Sequence, residues 1–297
     1  MPDLTRRASI VAAAVFIGAP APAAAQRVPA TDIYLAPLAM RSGRPVVGAA
    51  VDITNRAGYD NQPSFTPDGR AILFTSIHED GQGDVYRYDL TSKSIARVTA
   101  TAESEYSPTV MPGGRRFSVI RVEKDSAQRL WSFALDGSDP RLVIESLKPV
   151  GYHAWLDANT LVMFVLGTPN ALVAGHLRTG RMDTLARRIG RSLTRIPDGS
   201  GFSFTQGADS AQMLRTMRAP GRPARDLVAL PPGSQDIVWL DGGTVLSGSG
   251  SNLLVWRRGA AAWAEVADLS AAGVTQISRL AVSPDGRWLA IVAVPGR

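Results

Sequence analysis

The sequence predicts an all-β protein: a six-bladed β-propeller of four-stranded blades, its sixth blade closed by an N-terminal C–D hairpin and C-terminal A–B strands. The first observation is a duplicated motif. Thr66-Pro-Asp-Gly-Arg-Ala-Ile-Leu-Phe74 and Ser283-Pro-Asp-Gly-Arg-Trp-Leu-Ala290 share one design, a Pro-Asp-Gly turn followed by a short apolar strand. The second is its spacing. Weaker echoes begin at Met111, Leu156, Ile196 and Leu240, and counting from Pro67, Pro112, Leu156, Pro197, Leu240 and Pro284 gives steps of 45, 44, 41, 43 and 44 residues. Short strands repeating every ~40–50 residues mark a propeller. The third is that the two chain ends carry complementary half-repeats.

The first full repeat shows how each blade is built. Gln62 to Pro67 forms strand A and leads into the Asp68-Gly69 turn. Ala71 to Ile77 is apolar enough to be buried on both faces and serves as strand B. After a polar loop, Asp84-Val-Tyr-Arg-Tyr-Asp-Leu90 alternates as strand C, and Ile95-Ala-Arg-Val-Thr99 is a short outer strand D. The next four repeats keep this order, with Gly and Pro placed where turns are needed. The last repeat offers only strands A and B, between Arg279 and Val294. The missing C and D stand at the other end, at Asp32 to Leu38 and Val46 to Ile53, around a turn at Arg41-Ser-Gly-Arg44. Joining the halves closes the ring and leaves no free sheet edge at the seam.

Ahead of the propeller, Arg6 and Arg7 precede an apolar run from Ala8 to Ala19, and Ala23-Ala24-Ala25 precedes Gln26. A basic start, a short apolar core and a small-residue exit predict a secretory signal peptide over residues 1–25. The domain is then residues 26–297, periplasmic or secreted. The apolar run is too short to span a bilayer, so no membrane span is expected. Thr5-Arg6-Arg7 fits a twin-arginine signal in part, leaving the export route open between Sec and Tat.

The 297 residues contain no cysteine, which excludes disulfides, thiolate catalysis and thiolate metal sites. The net charge is +6, and +5 without residues 1–25; the arginines are scattered and lack interleaved aromatics, so nucleic acid is not an expected partner. A mild attraction to anionic envelope polymers follows from the charge.

Pro63 to Phe74, with Asp84-Val-Tyr-Arg-Tyr-Asp-Leu90 and Arg97-Val-Thr99 after it, resembles the PD40, or TolB-like, propeller repeat, and Leu280 to Ala290 is similar. The likeness runs from about residue 30 to the end, strongest in the first, second and sixth repeats. It implies a blade architecture and says little about activity. TolB itself carries an α/β domain before such a propeller, for which residues 26–31 leave no room here. Prolyl oligopeptidase-type enzymes use propellers to gate a hydrolase domain, but this sequence has no Gly-x-Ser-x-Gly nucleophile elbow. The turn residues Asp68, Asp198 and Asp285 are expected to bond their own turns rather than to catalyse.

Six-bladed propellers bind ligands at the mouth of the central channel. By register, Asn61, Gln62, Tyr106, Tyr152, His153, Arg191, Asp236 and Ser278 should approach the mouth where the chain enters strand A. Calcium-dependent propeller lactonases gather carboxylates and amides there; in this chain Asn61, Glu105 and Asp236 fall near that register, too few for a confident cage. His78, His153 and His176 have no metal-ligand spacing. No catalytic set, metal or cofactor is therefore expected. His78 reads as part of a solvated loop cluster, and Tyr86, Tyr88, Trp131 and Trp155 as core. The reading is a monomeric, non-enzymatic binding module of the cell envelope, with an envelope protein or anionic polymer as partner. The alternative is a lactonase-like hydrolase or a lyase, possibly calcium-dependent, acting in the channel.

Overall fold

The structure is a computed structural model describing residues 30–78, 80–208 and 211–296. The expected signal peptide lies outside the described residues. Six antiparallel sheets are arranged as blades. The seam blade runs β24 (Val274–Val282), β25 (Trp288–Pro295), β1 (Asp32–Arg41), β2 (Arg44–Val47), with β3 (Val51–Asp52) also paired to β1. This is the closure read from the sequence: Asp32 pairs with Ala293 and Ala36 with Leu289.

The first blade consists of β4 (Tyr59–Phe65), β5 (Ala71–Ile77), β6 (Gly83–Asp89) and β7 (Ile95–Arg97). The second consists of β8 (Ser104–Val110), β9 (Arg116–Val122), β10 (Gln128–Ala134) and β11 (Arg141–Ile144). The third holds β12 (Val150–Trp155), β13 (Thr160–Val165), β14 (Ala171–His176) and β15 (Arg181–Arg187). The fourth holds β16 (Ile189–Arg195), β17 (Phe202–Ala208), β18 (Ala211–Met217) and β19 (Arg225–Ala229). The fifth is β20 (Ile237–Trp239), β21 (Thr244–Ser249), β22 (Asn252–Arg257) and β23 (Ala264–Asp268).

The core is distributed between blades, because each sheet buries both faces against its neighbours. Period-two alternation divides one strand between two interfaces. Ile33 and Leu35 join Phe65, Ile72 and Phe74 of the first blade, whereas Tyr34, Ala36 and Leu38 join Leu246, Leu253 and Leu269 of the fifth. In β25, Ala290 and Val292 face one way and Leu289, Ile291 and Ala293 the other. The predominantly apolar and buried strand B reflects this two-sided burial.

The duplicated turns are the same down to their hydroxyls. Thr66 Oγ1 donates to Asp68 Oδ1 at 2.6 Å and Ser283 Oγ to Asp285 Oδ1 at 2.6 Å. The same hydroxyl oxygens accept the N–H of the next strand, from Ala71 at 3.0 Å and Trp288 at 2.9 Å. These bonds hold the Asp68 carboxyl below its ordinary range and that of Asp285 at about 2. Gly69 and Gly286 have φ of 68° and 70°, the left-handed region that favours glycine. In the third and fifth blades the turn register lies one residue later than the sequence count. Leu156 and Leu240 occupy the place of Thr66, each donating its N–H across the turn, and Asp157 and Asp241 are the turn carboxylates.

Candidate functional site: the channel waist

Strand A is the innermost strand of every blade, and it is irregular in mid-course. Register shifts interrupt the A–B pairing between Asn61 and Ser64, Tyr106 and Thr109, Val150 and Tyr152, Ile189 and Leu193, and Ile277 and Arg279. Such bulges bend a strand and re-aim its side chains. Gln62 and Ser107 take φ of 61° and 55°, unusual for non-glycine residues, and Gln62 Oε1 accepts the Ser107 N–H at 2.8 Å.

The bulges bring a polar waist to the channel. Gln62, Ser107, Tyr152, Asp236 and Arg279 each stand four residues before the residue that opens the A–B turn, and Arg191 fills the place in the fourth blade. These six residues line a cavity of about 990 Å³ that continues along strand A to the turns at Pro67, Pro112, Asp157 and Pro284. The cavity therefore occupies the A–B turn half of the channel, whereas the sequence register pointed to the opposite mouth. Gln62, Tyr152, His153, Arg191 and Asp236 line it as its inner end; Asn61, Tyr106 and Ser278 do not.

Those three have other tasks. Asn61 is buried and donates to Thr31 Oγ1 at 3.3 Å. The ring of Tyr106 covers Gly83 of the first blade so closely that a Cβ there would stand 2.9 Å from it. Ser278 contributes its carbonyl, which accepts from Arg191 Nη2 at 2.8 Å. The sequence missed Arg279, which lies beside Ser278 and turns its guanidinium over Tyr152, Cζ 4.6 Å from the ring centre. Its signal was available: it occupies the position of Gln62 counted back from the Ser283 turn.

The waist is electrostatically one-sided. Burial and the like charge of Arg279 push the Arg191 guanidinium below its ordinary value. Burial lifts the Tyr59 phenol to about 12, so its proton stays in place. Asp236 Oδ2 accepts the Leu280 N–H at 3.3 Å. His153 is buried, with Nε2 2.6 Å from Ser118 Oγ and Nδ1 without a partner; burial drives its pKa down to about 3. It is a neutral packing residue at any ordinary pH.

The residues considered for a cation cage are dispersed. Glu105 is buried beside Arg121, Oε1 to Nε 3.1 Å, and accepts from Thr101 Oγ1 at 2.6 Å. Among the described residues no three His, Asp or Glu side chains stand together as metal ligands. His78, expected in a solvated cluster, is exposed but stacks on Tyr86 at 4.7 Å between ring centres, because the B–C loop lays it across strand C.

Comparison with known proteins places the architecture. A protein provisionally assigned as TolB from Agrobacterium tumefaciens superposes with a TM-score of 0.71 at 15% identity, over 89% of this chain and 98% of that one. The chain has a TolB-like six-bladed propeller fold. TolB of Acinetobacter baumannii gives a TM-score of 0.53 at 18% identity, over 67% of this chain and 52% of that one. An oligogalacturonate lyase in complex with manganese gives 0.51 at 16% identity, over 88% and 78%. An uncharacterized protein of Agrobacterium fabrum is 28% identical over 78 residues, so the chain spans about a quarter, 26%, of that relative's length. No family model matches the chain. Likeness at this level of identity shows the fold alone and does not fix what is bound.

Proposed function

We propose that the chain is an exported, non-enzymatic binding module of the cell envelope, and that it receives its partner, an envelope protein or polymer, in the channel half lined by strand A. The observation that supports this reading is the ring of bulges, which spends backbone regularity at the same place in five blades to present Gln62, Ser107, Tyr152, Arg191 and Arg279 to one cavity. Strained backbone at Gln62 and Ser107 persists only where the surroundings over-determine it, and such positions cluster at binding sites. The TolB-like frame and the basic, apolar, small-residue leader fit a periplasmic place of action.

The rival reading, a hydrolase or lyase working in the channel, gains less from the geometry. His153, the one imidazole at the cavity, is buried and commits Nε2 to Ser118, and Asp236 is held by the Leu280 N–H.

The test is comparative capture from envelope extract by the immobilised protein and by variants that fill the cavity, Ser64→Trp and Thr194→Trp. Both positions line it. A partner retained by the wild type and lost by folded variants supports the reading. Equal capture by all three refutes it, and calcium-dependent turnover of a lactone or oligosaccharide abolished by Asp236→Asn would replace it with the enzyme.

A further inference from the structure

Arg191 and Arg279 face each other's field across the channel waist, and neither has a carboxylate within 4 Å among the described residues, although eleven ion pairs form elsewhere in the molecule. Arginine is ordinarily placed in such a position with a fork-shaped partner, because its planar donors match two oxygens at once. Arg191 uses Nη2 on the Ser278 carbonyl, and its buried Nε has no acceptor. The Arg279 guanidinium makes no hydrogen bond among the described residues; its charge rests on the face of Tyr152. A buried donor without an acceptor is destabilising, and a ligand oxygen would relieve that cost.

Resting on the proposed binding role of the cavity, we propose that this pair is a receptor for a carboxylate, carried on a partner slim enough to enter the channel. Charge favours a monoanion. The two guanidinium groups less the nearby Asp236 leave one net positive charge, which a carboxylate neutralises. A dianionic phosphate would leave an excess of negative charge facing Asp236. The Gln62 and Ser107 side chains line the same ring, and Tyr152 carries the aromatic face beneath Arg279. A carboxylate at this point meets donors on two sides and a wall on the third.

The experiment is titration of the whole protein with acetate, followed by the Nε–H resonances of Arg191 and Arg279. Acetamide serves as the neutral isostere and methyl phosphate as the competing anion. Wild type should show saturable shifts at both arginines with acetate and none with acetamide, and methyl phosphate should bind more weakly. Arg279→Gln should weaken acetate binding by roughly tenfold or more with an unchanged melting temperature. Arg191→Gln should do the same where it folds. Absence of a saturable shift, or an undiminished one at Arg191 in Arg279→Gln, overturns the proposal, and tighter binding of methyl phosphate overturns the choice of carboxylate. No extract is involved, so the two readings fail separately. Acetate binding without any captured partner would sink the module and leave the receptor; capture without acetate binding would do the reverse.

Discussion

Trp155 Nε1 donates to Ser118 Oγ at 2.9 Å, across the boundary between the second and third blades. Trp239 repeats the relationship two blades on, donating to Ser203 Oγ at 2.8 Å. Each indole ends a strand A and each serine sits on the neighbouring strand B, all four buried. The apolar body of the ring fills the interface while its N–H finds a hydroxyl on the neighbouring blade. Trp239→Phe should cost about 1–3 kcal/mol, since Ser203 loses its partner and the interface loses area. Urea denaturation measures this, and Ser203→Ala should cost a similar amount by stranding the indole N–H. A double variant far less destabilised than the sum of the two would show that they act as one latch.

His153 sets a pH dependence whose sign is unusual for histidine. Its folded pKa, about 3, lies below its unfolded value near 6.5. The unfolded chain therefore binds the proton first as pH falls. The stability from keeping this ring neutral is whole above pH ~6.5 and drains away as pH falls toward 3. Between pH 7 and 5 this amounts to about 2 kcal/mol. Burial raises the Asp60 and Glu105 carboxyls, which act in the opposite direction at lower pH, so the comparison must be with His153→Gln. The wild type should lose stability relative to His153→Gln over that range. Parallel curves would mean that the ring is reached by water.

The twin turns make a prediction about backbone alone. With φ near 70° at Gly69 and Gly286, a β-branched residue is strained whatever space surrounds it. Gly69→Val and Gly286→Val should each destabilise by roughly 1–3 kcal/mol, and asparagine at the same positions by less. Thermal melts of the four variants decide it; valine melting no lower than asparagine would contradict the turn geometry.

The seam is where the ring can be opened. Deleting residues 32–53 removes Ile33, Leu35 and Leu38 from two interfaces and bares the edge of β25 from Trp288 to Ala293. An unpaired apolar edge invites association with other chains. The deletion product should elute as aggregate in size-exclusion chromatography and show no cooperative melt. A monomer with a sharp transition would contradict the closure.

The fold was legible because propeller blades advertise themselves twice, through turn chemistry and through strand period. Pro-Asp-Gly specifies the A–B turn locally, and apolar strand B follows from burial on both faces. The register slip at Leu156 and Leu240 has a local cause: those repeats lack the proline that marks the turn, and the neighbouring aspartate takes over. The site was legible only in part. Counting from the turns reaches strand A and nearly the residue that lines the cavity, and Gln62, Tyr152, His153, Arg191 and Asp236 do line it. Bulges then decide which of two adjacent side chains enters the channel, and they depend on tertiary packing. That is why Ser278 was named in place of Arg279, and Tyr106 in place of Ser107.

Recognition at the strand-A waist, on the A–B turn side, is tested most directly by hydrogen exchange of the protein with and without its captured partner. Added protection is expected in the segments 107–114, 191–195 and 279–284, most of whose residues line the cavity, with the outer strands β15 and β19 unchanged. Protection confined to those outer strands, with the channel segments exchanging as before, would contradict it.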